Sequence, residues 1–477
     1  MPSCGMAVHV PYSGLGHIWT ARSQSNWQGF MANTSHSAGD GVAGVERPQS
    51  CTNTWINLVG LVCFFLTVWL LHDVPIRTEA KALFWMLAAT GPIMLLDFLI
   101  LRVHRRASTG LQWDRGGQVD LARVAVKLIG WAVTIGAIGA IYWALPEYHR
   151  DFYAPFWLLL RTCGPYLAIA AVPYFIIVDR RMRDPYDAYW HLGLLALGQT
   201  RGIDWPMLGN HARGWIVKGF FLPLMISYLA GEVTAVGEML AGQRWATPMQ
   251  LYELAYRFTF SVDLVFAAAG YIMTFRLLDT HIRSAEPTVL GWLVAIMCYQ
   301  PFWNVFATQF LQYHDDLYWD NWLTGMPWLQ VLWGSTIIAV LVIYGLATMT
   351  FGARFSNLTH RGILTNGPFR FTKHPAYLTK NLSWWLVSVP FVSAAGWEVA
   401  LRYSIALFGI NLIYFARART EERHLSMDPV YVQYALWINE HGALAWLGRL
   451  IPFFRYVPPA GTVVARDDEA GDGPQAG

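Results

Sequence analysis

Ten apolar runs constrain this chain more than any other feature. A helix needs about 20 mostly apolar residues to cross the hydrocarbon core of a bilayer. The runs lie at about 55–72, 81–101, 124–145, 154–178, 214–236, 256–276, 288–308, 327–350, 382–397 and 398–416. The last two are so close that they predict a hairpin turned near Gly396. We therefore expect an all-α polytopic membrane protein with about ten transmembrane helices.

The composition agrees with a membrane protein. The 477 residues are 55% hydrophobic and 14% charged, whereas soluble globular proteins carry roughly 25% charged residues. The 24 Trp residues suit the two interfaces of a bilayer. A net charge of +3 is too small to indicate nucleic acid as a partner. The five cysteines show neither CxxC nor metal-ligand spacing, so we expect no disulfide framework and no metal site.

The cationic residues predict the orientation. Lys and Arg are frequent in the loops at 102–123, 179–213 and 351–380 and in the tail after 416, but 309–326 has none. Because cytoplasmic loops are enriched in Lys and Arg, we expect both termini in the cytosol. Only five of the 34 cationic residues are Lys. This bias is typical of GC-rich bacterial genomes and favours a bacterial inner membrane.

The organisation along the chain predicts four parts. Residues 1–54 are Gly/Ser-rich and weakly patterned, which favours a poorly ordered cytosolic leader. Residues 55–326 form a predicted N-terminal bundle of about seven helices, and residues 327–457 form a C-terminal membrane core. Residues 458–477 favour a disordered tail.

One segment of the C-terminal core, NGPFRFTKHPAYLTKNLSWW, leads into the ninth apolar run. Gly367-Pro368 predicts a turn. His374 precedes Pro375, so its backbone is biased to an extended conformation, and Pro375 suits the first turn of a helix. Tyr377 then lies on the same helix face as His374.

The charge of this segment indicates an anion site. The start of a helix attracts anions through its unpaired N–H groups and its dipole, and Arg370 and Lys373 add positive charge. The alternative is an ordinary cytosolic loop that carries the usual excess of cations. The sequence alone leaves both interpretations open.

A second segment, ARARTEERHLSMDPVYVQYALW, follows the tenth run. Glu421 and Glu422 stand where the chain leaves the bilayer, followed by Tyr431 and Tyr434. A solvated helix end with interfacial tyrosines is one interpretation. The other is a clamp for a zwitterion, in which His374 and its cations hold a carboxylate and a glutamate holds an ammonium group. Aromatic faces meet a sulfonium or a purine ring, and S-adenosylmethionine offers all of these groups.

The order and spacing of the two segments resemble the isoprenylcysteine carboxyl methyltransferase and phospholipid methyltransferase families over residues 327–457. The matching residues are Gly367, Pro368, Arg370, His374, Pro375, Tyr377, Glu421, Glu422, Leu425, Tyr431 and Tyr434. The resemblance implies an integral-membrane enzyme that transfers a methyl group from S-adenosylmethionine to a lipid or isoprenoid-like acceptor. It also implies that these residues, apart from Arg370 and Leu425, form the cofactor site.

Catalytic roles follow from the same resemblance. Arg449 precedes an apolar pair and Pro452, as does an arginine that often orients the acceptor in these families. We therefore expect Arg449 or Arg370 to position an anionic acceptor. An amine acceptor would need a base, and Glu421 or Tyr377 would serve.

Two other functions stay open. The length and the number of runs also resemble membrane sterol reductases, which use NADPH, so an NADPH-dependent sterol or polyprenoid double-bond reductase is the first alternative. A non-enzymatic transporter or lipid-binding protein is the second. Ionisable residues within the runs motivate it, since such residues either pair with each other, as Asp97 and Arg161 would, or line a cavity or an ion path. The others are Glu232, Glu238 and Asp263.

Overall fold

The computed structural model describes residues 46–114 and 118–459. Every element below belongs to one compact unit that begins at Arg47. The described chain is 72% helical with almost no strand, which confirms an all-α protein. The predicted leader falls largely on residues 1–45 and the predicted tail largely on residues 460–477, both outside the described residues.

Fourteen α-helices make up the described chain. They are α1 Thr54–Leu71, α2 Thr78–Leu99, α3 Leu121–Ala144, α4 Ala154–Arg181, α5 Ala188–Ala196, α6 Trp205–Ala241, α7 Pro248–Ile272, α8 Val289–Ile296, α9 Trp319–Trp322, α10 Pro327–Thr350, α11 Pro375–Ser388, α12 Trp397–Leu425, α13 Pro429–His441 and α14 Ala445–Leu450. Asp, Asn and Thr side chains cap the N-termini of several of them, as Asn53 does for α1 and Asp204 for α6.

Short elements connect the helices. Strand β1, Ser284–Ala285, pairs antiparallel with β2, Thr359–His360, and Ser284 lies opposite His360. A π-helix covers Asn304–Phe310. The 3₁₀ turns are Val103–Arg105, Ala107–Thr109, Pro146–His149, Asp151–Tyr153, Arg276–Leu278, Gly352–Arg354, Gly367–Arg370 and Pro452–Phe454.

Seven helices in the described ranges are long and apolar enough to cross a membrane, namely α1, α2, α3, α4, α6, α10 and α12. They correspond to seven of the ten predicted runs. The other three runs differ for physical reasons. Helix α7 has 25 residues but carries Glu253, Arg257 and Asp263, whereas α8 has only eight residues and α11 only 14. The predicted turn at Gly396 agrees with the structure, since α12 begins at the next residue.

Glycines let several helices approach each other closely. A Cβ atom on Gly60 of α1 would lie 2.1 Å from the Ala89 carbonyl oxygen of α2. A Cβ atom on Gly130 of α3 would lie 1.9 Å from the Tyr189 carbonyl oxygen of α5. Small residues at helix contacts are the usual means of close packing in membrane proteins, where water provides no driving force between helices.

The predicted boundary at residue 327 is not a boundary in the structure, because Arg47 onward forms one compact unit in which α10 packs against α7 and α11. The residues just before the predicted leader boundary at 54 are also ordered against the rest of the chain. The Thr365 hydroxyl donates to the Pro48 carbonyl, the Ser50 hydroxyl donates to Asn366, and the Thr52 hydroxyl donates to the Thr350 carbonyl. These bonds fix the chain before α1 against the segment that enters the site.

The charges within the runs pair differently from the expectation. Asp97 lies 3.6 Å from Arg354, whereas Arg161 is exposed, so the expected Asp97–Arg161 pair is wrong. Arg354 comes from the turn after α10, which the sequence gives no reason to place beside α2. Glu232 pairs with Arg257 of α7 at 3.1 Å.

Arg361 closes the C-terminal end of α7 in a different way. Its buried guanidinium donates to backbone carbonyl oxygens rather than to a carboxylate. The acceptors are Gly270, Met273, Thr280, Ala353 and Phe355. Burial lowers the pKa of Arg361 to about 9, so it remains protonated at neutral pH. The clamp satisfies carbonyl groups that a helix end leaves without partners.

We expect Gly130→Ala to destabilise the protein and Gly136→Ala to leave it unchanged or slightly more stable. Both changes favour a helix, but only the methyl group at Gly130 meets backbone of α5, while nothing lies within 4 Å at Gly136. The expected loss is about 1–3 kcal/mol of unfolding free energy. Thermal unfolding of the purified protein in detergent measures it. Equal melting temperatures for the two variants would show that the α3–α5 contact does not constrain the fold.

Candidate functional site

The segment before α11 begins with the turn Gly367–Arg370. Gly367 has φ +53°, and a Cβ atom there would lie 2.5 Å from the Thr350 hydroxyl oxygen at the end of α10. Only glycine permits this approach. Phe369 points into the core, so the next side chain, Arg370, is exposed.

Helix α13 holds this turn from behind. The Tyr434 hydroxyl donates to the Phe369 carbonyl at 2.6 Å and lies 3.3 Å from that of Thr372. Tyr431 packs edge-to-face on Tyr434 and Tyr456. Burial raises the pKa of Tyr431 and Tyr434, so both phenols are neutral. The two tyrosines that were predicted to bind a cofactor therefore support the loop.

His374 and Tyr377 lie on one face at the start of α11, as their spacing predicts. Pro375 is in the first turn of α11, but the His374 backbone, with φ −129° and ψ 60°, does not have the expected extended conformation. The His374 and Tyr377 rings are parallel within 3°, with centroids 5.4 Å apart. The Tyr377 hydroxyl donates to the Glu421 carboxylate at 2.7 Å.

Glu422 joins the two segments. Its carboxylate forms a salt bridge with Lys373 and lies 3.2 Å from His374 Nε2 and 2.9 Å from Arg419. The Glu422 side chain is only 7% exposed. Burial lowers the pKa of Lys373, and the Glu422 carboxylate partly offsets this effect. Residues 48 positions apart thus share one buried ion cluster.

A cavity of about 950 Å³, including its open mouth, lies beside this cluster. Of the residues predicted to bind a cofactor, four line it: His374, Pro375, Tyr377 and Glu421. Its other walls include residues of α7, α8, α10 and α12, the residue Tyr299 and the segment 355–359.

Only one of the two adjacent glutamates faces the cavity. Consecutive helix residues point about 100° apart, so Glu421 and Glu422 of α12 face different surroundings. Glu421 lines the cavity, whereas Glu422 faces the ion cluster behind His374. Glu422 already contacts three cationic side chains, which leaves Glu421 as the better partner for a cationic ligand.

Arg417 lies one turn before Glu421 and is 5% exposed. Its guanidinium lies 4.8 Å from the Tyr377 ring centre, 5.4 Å from that of Tyr299 and 5.8 Å from that of Tyr414. It donates to the Asn357 side chain, and within the described ranges no carboxylate lies within 4.0 Å of it. A buried guanidinium without an acidic partner in a cavity indicates an anionic ligand group.

The membrane side of the cavity carries an acid. Asp263 of α7 accepts hydrogen bonds at 2.7 Å from the Tyr344 and Thr348 hydroxyls of α10. Lys380 of α11 lies 5.6 Å from the Tyr344 ring centre. The cavity therefore carries an acid and a base in each of two places, Glu421 with Arg417 and Asp263 with Lys380. This distribution of charge suits a zwitterion.

The remaining predicted site residues lie elsewhere. Gly367, Pro368 and Arg370 belong to the supporting turn, and Arg449 on α14 is exposed; none of the four lines the cavity. Neither Arg370 nor Arg449 therefore lies in the wall of the cavity. Their expected role in positioning an acceptor stays a prediction. Arg370 points outward because its neighbour Phe369 fills the core, and α14 packs with α13.

Sequence reasoning missed Arg417, Glu286 and His424, all of which line the cavity. Arg417 was counted only as a cytosolic charge. A signal was present, since Arg417, Glu421 and His424 share one face of α12 at helical spacing. Glu286 lies in the connection between α7 and α8, and no helical spacing in the sequence relates it to the other cavity residues.

We expect Glu422→Gln to destabilise the protein strongly and the adjacent Glu421→Gln to have little effect. Glu422→Gln leaves Lys373 buried without its anion, and breaking a buried ion pair costs about 3–5 kcal/mol. Glu421 is held only by the Tyr377 hydroxyl in the described chain. Unfolding by denaturant in detergent compares the two. Equal losses would show that the cluster at Glu422 does not hold the two segments together.

Comparisons of the chain with protein-family models, with curated proteins and with solved structures gave no match. The functional argument therefore depends on the cavity and its residues. The cavity combines a buried arginine, several carboxylates and a set of tyrosine rings.

Proposed function

We propose that the protein is an integral-membrane methyltransferase that uses S-adenosylmethionine and acts on a lipid or isoprenoid-like acceptor. The observation that carries the proposal is the cavity between His374 and Glu421, where a buried arginine without an acidic partner lies among aromatic rings. The chemistry of these groups fits the cofactor, which carries a carboxylate, an ammonium, a sulfonium and a purine.

Each ligand group has a matching side chain. Arg417 is the donor for the cofactor carboxylate, and of the two predicted glutamates Glu421 accepts from the ammonium group. The faces of Tyr377 and Tyr414, which meet edge-to-face with centroids 5.7 Å apart, suit the sulfonium and the purine. His374 stays in place through Glu422 and limits one side of the pocket.

The bound cofactor supplies an activated methyl group for displacement in line with its carbon–sulfur bond. The protein contributes alignment and the exclusion of water. Glu421 and Tyr377 are fixed to each other by a hydrogen bond, so the cofactor site is rigid on that side. Asp263, Tyr344 and Lys380 line the part of the cavity formed by the membrane helices, where a lipid-borne acceptor enters.

The proposed topology has ten membrane crossings, both termini in the cytosol, and a cavity that opens to the cytosol in a bacterial inner membrane. It adds α7, the segment from α8 through the π-helix, and α11 to the seven long helices. The distribution of Lys and Arg supports it, since 309–326 has none whereas 351–380 has five.

A second candidate is the NADPH-dependent reductase of a sterol or polyprenoid double bond. The hydrogen bond from Tyr344 to Asp263 favours it, because it provides a phenol proton inside the cavity. The cations Arg417, Lys373 and Lys380 would meet the phosphates. The two candidates differ in the cofactor that binds.

Calorimetry on the detergent-purified protein should show binding of S-adenosylhomocysteine and none of NADPH. Arg417→Gln should weaken the binding by about 10–100-fold, because a hydrogen bond to a charged group contributes about 1.5–3 kcal/mol. Arg423→Gln, exposed on the same helix, is the control and should bind normally. Binding of NADPH alone would favour the reductase, and binding of neither would favour a non-enzymatic role.

Labelling of intact cells tests the topology. A single cysteine introduced at exposed Asp316 should react with a membrane-impermeant maleimide added from outside. One introduced at exposed Arg370 should react only after permeabilisation. The parent chain, with its native cysteines, gives the background. Labelling of both positions from the same side would contradict the proposed orientation.

A further inference from the structure

The wall of the cavity beside Glu421 contains an acid and an imidazole that the proposed cofactor site does not use. Glu286 is 3% exposed and His424 is 6% exposed, and both line the cavity. Glu286 Oε2 lies 3.7 Å from His424 Nδ1, close enough for an ion contact when the imidazole is protonated. His424 Nε2 lies 2.9 Å from the Ser284 hydroxyl oxygen.

Glu286 is held in place by its own loop. The Thr288 N–H donates to Oε1 at 2.9 Å, the Thr288 hydroxyl bonds to the same atom, and the Trp292 indole donates to the Glu286 carbonyl. A Cβ atom on Gly291 would lie 2.5 Å from Glu286 Cγ. Glycine at this position thus leaves room for a carboxylate that a larger residue would displace.

The pair is also connected toward the cytosolic surface. Ser284 is the register partner of His360 in the two-stranded ribbon, and His360 Nε2 lies 3.2 Å from Asp428. The Asp428 side chain is 18% exposed. Two imidazole–carboxylate contacts therefore meet at one strand pair, one in the cavity and one nearer water.

We infer that Glu286 and His424 form the proton-accepting pair of the cavity, and that the acceptor presents a nitrogen or oxygen that still carries a proton. This inference rests on the proposed methyltransferase function and specifies its acceptor. The acceptor loses its N–H or O–H proton to the pair, its electron pair forms the bond to the methyl carbon, and the methyl–sulfur bond breaks to leave S-adenosylhomocysteine. A carboxylate acceptor is already ionised and needs no such pair.

The location of the pair separates binding from proton transfer. Glu421 and His424 lie one turn apart on α12, so both face one cavity, but Glu421 is already occupied by the Tyr377 hydroxyl. Glu286, His360, Glu421 and Arg213 are the charged or titratable groups whose fields act on His424. His424→Gln leaves these four groups intact, so the pH dependence of the reaction is compared between this variant and the wild type.

The test uses the full-length protein in detergent, S-adenosylmethionine tritiated in its methyl group, and a total lipid extract of the producing cells. Tritium should enter the lipid fraction and remain non-volatile after mild alkali, since N-methyl and O-methyl ether groups resist alkali whereas methyl esters release volatile methanol. His424→Gln should reduce the initial rate about 100-fold. It should also remove the fall in rate on acidification that protonation of the His424 imidazole would cause, and leave S-adenosylhomocysteine affinity unchanged.

Glu286→Gln tests the same pair independently if His424→Gln fails to fold. His441→Gln is the control, since His441 is exposed and bonds only to the Trp437 carbonyl of its own helix; it should retain the wild-type rate. Release of the tritium as methanol overturns the inference, and so does a folded His424→Gln with the wild-type rate and pH profile. Wild-type protein that binds S-adenosylhomocysteine but methylates no lipid also overturns it. Absence of S-adenosylhomocysteine binding instead overturns the proposed function.

Discussion

The buried carboxylate of Glu422 is the interaction on which the site depends. A charge at the membrane surface that is shielded from water needs compensation, and here Lys373, His374 and Arg419 supply it. Lys373 and His374 directly precede α11, and the carboxylate belongs to α12. The cluster therefore fixes α11 against α12. It also sets the rotation of α12, which turns Glu421 and Arg417 into the cavity.

The sequence predicted that the two segments lie close together, but as the two sides of a ligand clamp rather than as partners in one ion cluster. Patterns within a few residues of each other, such as the proline after His374 and the spacing to Tyr377, describe local geometry, and local geometry survives folding. The long apolar runs were equally informative, because length and hydropathy suffice for a spanning helix. The role of the adjacent glutamates was not predictable, since two neighbouring residues look alike until the rotation of their helix is known.

Contacts between distant segments account for the other differences. Asp97 pairs with Arg354 rather than Arg161 because the turn after α10 packs beside α2, and no spacing in the sequence encodes that. Arg361 was counted as a loop cation, yet it serves as a backbone clamp under Phe355, which lines the cavity. Glu286 and His424 come together through the short ribbon of β1 and β2, whose two dipeptides are too short to predict.

The short length of α11 has a consequence for the surrounding lipid. Fourteen residues extend about 21 Å, whereas the hydrocarbon core is about 30 Å thick. Such a hydrophobic mismatch is relieved when the bilayer thins locally around the helix. In the proposed topology, thinning at α11 shortens the depth through which a polar headgroup must travel, so the helix that begins at Pro375 also brings the water interface closer to Lys380 and Asp263.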